Sequence, residues 1–283
     1  MYFNQKGQKD LTIGLQIGQI PVLDLLFLKN PLYLLLSRLG LIDSTFPVAK
    51  FAQDRMNERY PKEKSDTLPS VEPKQQLPDL LSKFIQAKES RPDFMNDGLV
   101  KTMAVSMAFA GSETTAISLS AVFYYLLKNP RTMEKLNLEL KNYAEEGRFS
   151  NNTTGLVTWA EAQRLPYLDA CIKEAFRLHP APGLVIERVV PPQGVEISGR
   201  HVAGGTIVGC NAWVIHRRPE VFGDDVDDFR PERWQVDVTK DQEAEEKRIK
   251  EMNGTMMHFG MGARTCIGKN ISLLEIYKLV PSL

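Results

Sequence analysis

The run Phe259-Gly260-Met261-Gly262-Ala263-Arg264-Thr265-Cys266-Ile267-Gly268 decides how this chain is read. Gly260, Gly262 and Gly268 let the backbone turn tightly and lie close to a bound group where a side chain would collide. Cys266 sits among them, and the free N–H groups of such a loop can hydrogen-bond a thiolate and tune it. Arg264 places a cation two residues before the sulfur. A lone cysteine is ordinarily a packing residue, and Cys171 and Cys210, which lack such surroundings, read that way. A final helix is expected from Asn270. On the other side of the loop, Asp237 to Lys250 has few apolar residues and reads as a solvated loop.

Further upstream, Gly194, Gly199, Gly204, Gly205 and Gly209 punctuate short runs such as Val195–Ile197 and Thr206–Val208, which predicts a small β region. Before Pro180 the pattern is helical. One helix should run from Pro166 to Leu178, and a short one from about Thr158 should stop before Pro166. Asn129-Pro130 reads as a cap and first-turn proline for a helix ending near Gly147. Asn96 to Lys128 carries apolar residues at helical spacing without a proline, a helix of about 50 Å at about 1.5 Å per residue. Its middle is small and apolar, so burial on all sides is expected. Asp79 to Lys88 reads as a short amphipathic helix, and Arg59 to Pro78, with four prolines, as an exposed connection. Ile20 to Leu39 is greasy but broken by Asp24, Lys29, Asn30 and Arg38, so it does not qualify as a membrane span. It leaves two readings open, a core helix pair or a sticky surface that lines a substrate channel or touches a membrane. Met1 to Asp10 lacks the apolar core of a signal peptide.

Composition narrows the function classes. The 283 residues are 43% hydrophobic and 25% charged, which excludes wholesale disorder. Thirty-five basic residues balance thirty-five acidic ones, so a nucleic-acid partner, which calls for a basic excess, is not expected. Three widely spaced cysteines without a CxxC pair argue against a disulfide scaffold or a structural zinc site. None of His179, His201, His216 and His258 has a metal-ligating neighbour at close spacing, so they read as packing or surface residues.

Two further patterns stand out. Ala110-Gly111-Ser112-Glu113-Thr114-Thr115 sits mid-helix, where small residues weaken the helix locally and hydroxyls can divert its backbone bonds. Glu174 and Arg177, three apart on an apolar helix, share one face. Spacing alone does not select them, because Glu145/Arg148, Glu161/Arg164 and Glu245/Arg248 repeat it and are expected to be exposed. Context does: the helix ends in Leu178-His179-Pro180 and is followed by Phe229-Arg230-Pro231-Glu232-Arg233-Trp234.

With these motifs in this order, the chain resembles the cytochrome P-450 family of haem-thiolate monooxygenases, whose ligand loop reads F-G-x-G-x-R-x-C-x-G. Six defined positions match, an expectation of about 10⁻⁵ or less by chance at ordinary residue frequencies. From Val189 to Trp234 it looks most like filamentous-fungal members near pisatin demethylase. The resemblance implies a mainly α fold with a small β-sheet region, the C-terminal half of the family fold, forming one partial domain. Residues 1–92 would hold roof helices and a linker, 93–180 the distal and E-x-x-R helices, and 181–283 the β region, meander, ligand loop and following helix.

The resemblance also implies roles. Cys266 would ligate the iron of haem b, with Phe259, Gly260, Gly262 and Gly268 shaping the loop and Arg264 and Arg188 contacting propionates. Glu113 and Thr114 would relay protons to bound oxygen, and Glu174, Arg177 and Arg233 would form a buried structural triad. Electrons would come from NADPH through a separate cytochrome P-450 reductase. The substrate would be a hydrophobic small molecule of fungal secondary metabolism or detoxification, and the location the cytosolic face of the endoplasmic reticulum, with residues 20–40 touching the membrane surface. Family members are roughly twice as long, so the chain would lack the anchor, the early helices and the closing C-terminal hairpin. Ala203 also stands where a proline is common. Two readings follow, a monooxygenase or a non-catalytic remnant that cannot hold haem stably. A third, isomerisation or dehydration of peroxides, fits less well with an intact Gly111/Glu113/Thr114 set.

Overall fold

A computed structural model describes residues 47–59, 79–150 and 155–283. The expectations for Ile20 to Leu39 and, past Arg59, for the proline-rich connection fall outside them. The chain divides into two compact units, Met1–Ala110 and Gly111–Leu283. In the first, α1 (Pro47–Arg59), α2 (Leu80–Ser90) and the start of α3 (Asp97–Lys128) contribute to a small core around Met56, Met95 and Val100. Asp79 caps α2 by accepting from the Ser82 N–H at 2.9 Å.

The second unit carries the rest of α3 and then α4 (Pro130–Glu145), α5 (Trp159–Ala162) and α6 (Pro166–Leu178). Pro130 and Pro166 open their helices at the first turn, where a missing N–H costs nothing. Four short strands follow: β1 (Ile186–Val189), β2 (Val195–Ile197), β3 (Arg200–Val202) and β4 (Ile207–Cys210). They make two antiparallel pairs, β1 with β4 and β2 with β3. Then come α7 (Ala212–Ile215), α8 (Pro219–Phe222), a 3₁₀ turn at Pro231–Trp234, α9 (Gln242–Thr255) and α10 (Lys269–Leu279).

α6 is the centre of this unit. Ten of its residues, from Tyr167 to Leu178, are buried. Leu168, Cys171, Ile172, Ala175 and Phe176 share one core with Val122 and Leu126 of α3, Leu136 of α4 and Ile276 of α10. Its first N–H groups are not capped by its own residue Leu165, which offers no side-chain acceptor. Glu139 on α4 does this instead, accepting from Tyr167 N at 2.7 Å and Leu168 N at 2.9 Å. Burial raises the Glu139 carboxyl's pKa, against the two amide bonds that lower it.

Four sequence expectations are corrected, the first being Cys210, which at the end of the short β1–β4 pair is exposed rather than packed like Cys171. Asp237 to Lys250 is not a loop throughout: Asp241 accepts from Ala244 N at 2.8 Å and starts α9 at Gln242. The helix was hidden because its apolar stripe is thin, with only Glu245 and Met252 buried. Glu161 and Glu245 are not exposed partners of the arginines three residues on. Glu161 is buried at 7% and closes a capping box with Thr158, while Glu245 is buried and accepts from Arg248 Nε and Nη2 at 3.0 and 2.7 Å, the same guanidinium also donating to the carbonyls of Arg233 and Gln235. The middle of α3 is not buried on all sides. Residues 110–114 are exposed. Glu113 therefore carries no burial cost, and α3 runs unbroken through this stretch.

Glu139→Ala should leave the first amides of α6 without their acceptor and lower stability by about 1–2 kcal/mol, read as a shifted urea midpoint with an unchanged m-value.

Candidate functional site

The loop after α9 is built by short-range backbone bonds. The Gly260 N–H donates to the Met257 carbonyl at 2.8 Å, and the Cys266 N–H donates back to the Phe259 carbonyl at 2.8 Å. Between them Gly262–Arg264 forms a 3₁₀ turn, and the Thr265 hydroxyl donates to the Gly262 carbonyl at 2.8 Å. Gly260 and Gly262 have φ of 70° and 68°, the left-handed region that a side chain would strain. Phe259 turns inward onto Phe176 of α6, ring centroids 5.8 Å apart. Cys266 stays a free, exposed thiol, flanked by Met261 at 46% and Ile267 at 87% exposure.

This donor set fits haem. One accessible soft sulfur stands on an apolar-flanked loop, with the exposed Arg264 beside it as a carboxylate partner. Among the described residues no three His, Cys, Asp or Glu side chains converge on a shared metal position. Arg188 lies on β1 opposite Val208, exposed, with one guanidinium N–H on the Glu187 carbonyl at 2.7 Å. Its remaining donors are available to a ligand carboxylate.

Gly111, Glu113 and Thr114 share the exposed segment of α3. Just after them, the Thr115 hydroxyl donates to the Ser272 hydroxyl on α10 at 3.1 Å. That bond ties α3, one residue past Thr114, to the helix that follows the Cys266 loop. One turn further on, the Ser118 hydroxyl donates to the Thr114 carbonyl at 2.7 Å, the kind of hydroxyl-to-backbone bond the sequence suggests.

Behind the loop lies an ionic cluster. Glu174, Arg177 and Arg233 are 0%, 0% and 1% exposed. The Glu174 carboxylate accepts from Arg177 Nε and Nη2 at 2.9 and 2.8 Å and from Arg233 Nε at 2.9 Å. It also accepts from the Arg230 amide at 3.1 Å and the Trp234 indole at 2.8 Å. Arg177 spends its other donors on the carbonyls of His216, Val226 and Asp228. Arg233 spends its own on the Phe222 and Asp225 carbonyls and the Asp225 carboxylate. Burial would raise the Asp225 pKa, but hydrogen bonds from Arg233 and Arg230 hold it below the usual carboxylate range. The structure thus brings together Glu174, Arg177 and Arg233, and separately orders Phe259, Gly260, Gly262, Arg264, Cys266 and Gly268.

Several contributors escape sequence reading. Trp234 and the Arg230 amide flank Arg233 in the motif, yet nothing in the residue types says they point at Glu174. His216 and His258 are read as packing or surface residues; His216 is buried and His258 partly buried. Burial pushes the His216 pKa down to about 4 and that of His258, stacked on Phe176 at 4.7 Å, down to about 3.

Comparison with known proteins adds an independent line. The family model described as Cytochrome P450 matches residues 21–283. Cytochrome P450 monooxygenase cicH of Emericella nidulans is 49% identical over 205 residues, covering 72% of this chain and 39% of that protein. A cytochrome P450 monooxygenase of Aspergillus terreus is 41% identical over 267 residues, 94% of this chain and 51% of that one. A third, from Aspergillus flavus, is 36% identical over 291 residues, 99% of this chain and 54% of that protein. The chain therefore spans about half the length, or less, of these curated relatives.

Arg233→Met should strand part of the Glu174 charge in a dry interior and cost about 3–5 kcal/mol, seen as a lower urea midpoint. The histidines give a pH signature. Both pKa values are depressed on folding, so their contribution is complete above the unfolded value near 6.5 and is lost as pH falls towards 4 and 3. Between pH 7.5 and pH 5 each imidazole should remove about 2 kcal/mol of stability, and His258→Phe should shrink that loss in urea titrations at the two pH values.

Proposed function

Because the chain belongs to the cytochrome P450 family, we propose that it is the haem-binding part of a monooxygenase that inserts one oxygen atom from dioxygen into a hydrophobic small molecule. The observation that carries this reading is the exposed Cys266 thiol on a loop closed by its own amide and backed by a fully satisfied ionic cluster. Haem held by a thiolate supplies dioxygen activation, the sulfur's electron donation favouring O–O cleavage.

The chain's own residues do the rest. Cys266 would hold the haem iron through its thiolate. Gly260 and Gly262 keep side chains off the loop at two left-handed positions, so the backbone can lie close to the ring. Arg264 and Arg188 offer guanidinium donors to the propionates. On the exposed segment of α3, the absence of a side chain at Gly111 leaves room for dioxygen. Glu113, in contact with solvent, and the Thr114 hydroxyl would together relay protons inward. The Thr115–Ser272 bond keeps this pair in register with α10 and hence with the loop. Glu174, Arg177 and Arg233 touch no substrate; they fix the wall behind the sulfur.

Electrons would come from NADPH by way of a separate reductase. The fungal relatives support a role in secondary metabolism or detoxification. No helix among the described residues is long and apolar enough to cross a membrane. The family resemblance supports the cytosolic face of the endoplasmic reticulum.

Haem titrated into the purified chain should give, after reduction and carbon monoxide, a red-shifted thiolate-type Soret band that Cys266→Ser abolishes. A chain that takes up no haem, or a band indifferent to that substitution, would identify a non-catalytic form that keeps the motifs without the cofactor.

A further inference from the structure

His216 follows α7 and is fully buried. Both of its ring nitrogens are engaged. Nδ1 lies 3.1 Å from the carbonyl oxygen of Arg177, which can only accept, so Nδ1 carries the proton. Nε2 lies 2.7 Å from the amide nitrogen of Met257, which can only donate, so Nε2 keeps its lone pair. The neutral Nδ1–H imidazole is the one form that satisfies both ends.

We propose that His216 is a positioning residue, a neutral two-ended strap from the Arg177 carbonyl on α6 to the Met257 amide, which sets where the ligand loop leaves the core and so where Cys266 is presented. The proposal rests on the reading of Cys266 as the haem ligand. The bonds form a continuous path. Met257, held by the imidazole, accepts the Gly260 N–H that starts the turn, and two residues past Met257 the Phe259 carbonyl accepts the Cys266 N–H. At the other end the grip is reciprocal, since the Arg177 guanidinium donates to the carbonyl of His216 itself at 3.1 Å. The ionic cluster and the ligand loop are thereby joined through one side chain.

The surroundings keep that ring neutral. Burial lowers its pKa most, and the Arg177 and Arg217 guanidinium groups lower it further, against hydrogen bonding to the Arg177 carbonyl. The other titratable groups close by are Glu174, committed to the two buried arginines, and the His258 ring at 6.4 Å, itself held uncharged by burial. Protonation would set an N–H against the Met257 N–H and break the strap at the loop end.

The test uses the full chain with and without added haem. Nitrogen-15 spectra of the imidazoles, with His216→Gln assigning the resonance, should show the neutral Nδ1–H tautomer at pH 7. In His216→Phe, which fills the space without either bond, the Met257 amide should exchange with deuterium about tenfold faster while the interior amides of α6 keep their rates. His216→Gln, whose amide can donate at one end and accept at the other, should restore protection. With haem, the Phe variant should lose part of the thiolate-type carbon monoxide band and the Gln variant should keep it. An Nε2–H or charged imidazole, or Met257 exchange equally slow in the Phe variant, overturns the strap. Should His216→Phe fail to fold, the wild-type tautomer and Met257 protection in His216→Gln decide the matter. Absence of haem uptake by every form, wild type included, overturns the reading of Cys266 and leaves the tautomer and exchange results to judge the strap alone.

Discussion

One carboxylate organises the second unit. Glu174 accepts five hydrogen bonds, from two guanidinium groups, a backbone amide and an indole. A buried carboxylate is tolerated only when its charge and lone pairs are matched in this way. One partner, Arg177, lies three residues on in the same helix, whereas Arg230, Arg233 and Trp234 come from the distant segment that ends in the Pro231–Trp234 turn. The arginines then recruit the carbonyls of His216, Phe222, Asp225, Val226 and Asp228. An irregular stretch with little regular secondary structure is thereby tied to α6 through buried guanidinium groups.

That rigidity matters for the loop. The Cys266 segment has few contacts of its own, being held by backbone turns, Phe259 on Phe176, and the His216 and Thr115–Ser272 bonds. Each of these leads back to α6 or to its neighbours in the same core. A ligand loop needs its backbone near the sulfur free of side chains, so the elements behind it must supply the stiffness. Glu139, reaching from α4 to the first amides of α6, shows the same division of labour: the acceptor that α6 lacks locally comes from another helix.

Local signals were legible where they act locally. Pro130 and Pro166 mark helix starts through their fixed backbone, Thr158 and Asp79 through side-chain oxygens that accept from the first turn, and each stands where expected. α9 was missed because a helix that buries only Glu245 and Met252 offers almost no apolar period to read. The exposed middle of α3 was misread because small apolar residues suit a packed core and an open surface equally well.

By itself, the sequence determined the family, the helices from Asp79 to Leu178, the β region and the Cys266 loop, since these rest on residue type, spacing and motif context, and the family resemblance implied the grouping of Glu174, Arg177 and Arg233. Only the tertiary structure decided that Trp234, Arg230 and Asp225 complete the ionic cluster, that Glu139 caps α6, and that His216 must be a neutral Nδ1–H imidazole. The physical reason is one of range. Turns, caps and periodicity are contained in a few consecutive residues, whereas a buried hydrogen bond between residues 39 or 41 positions apart depends on which surfaces the folded chain brings together.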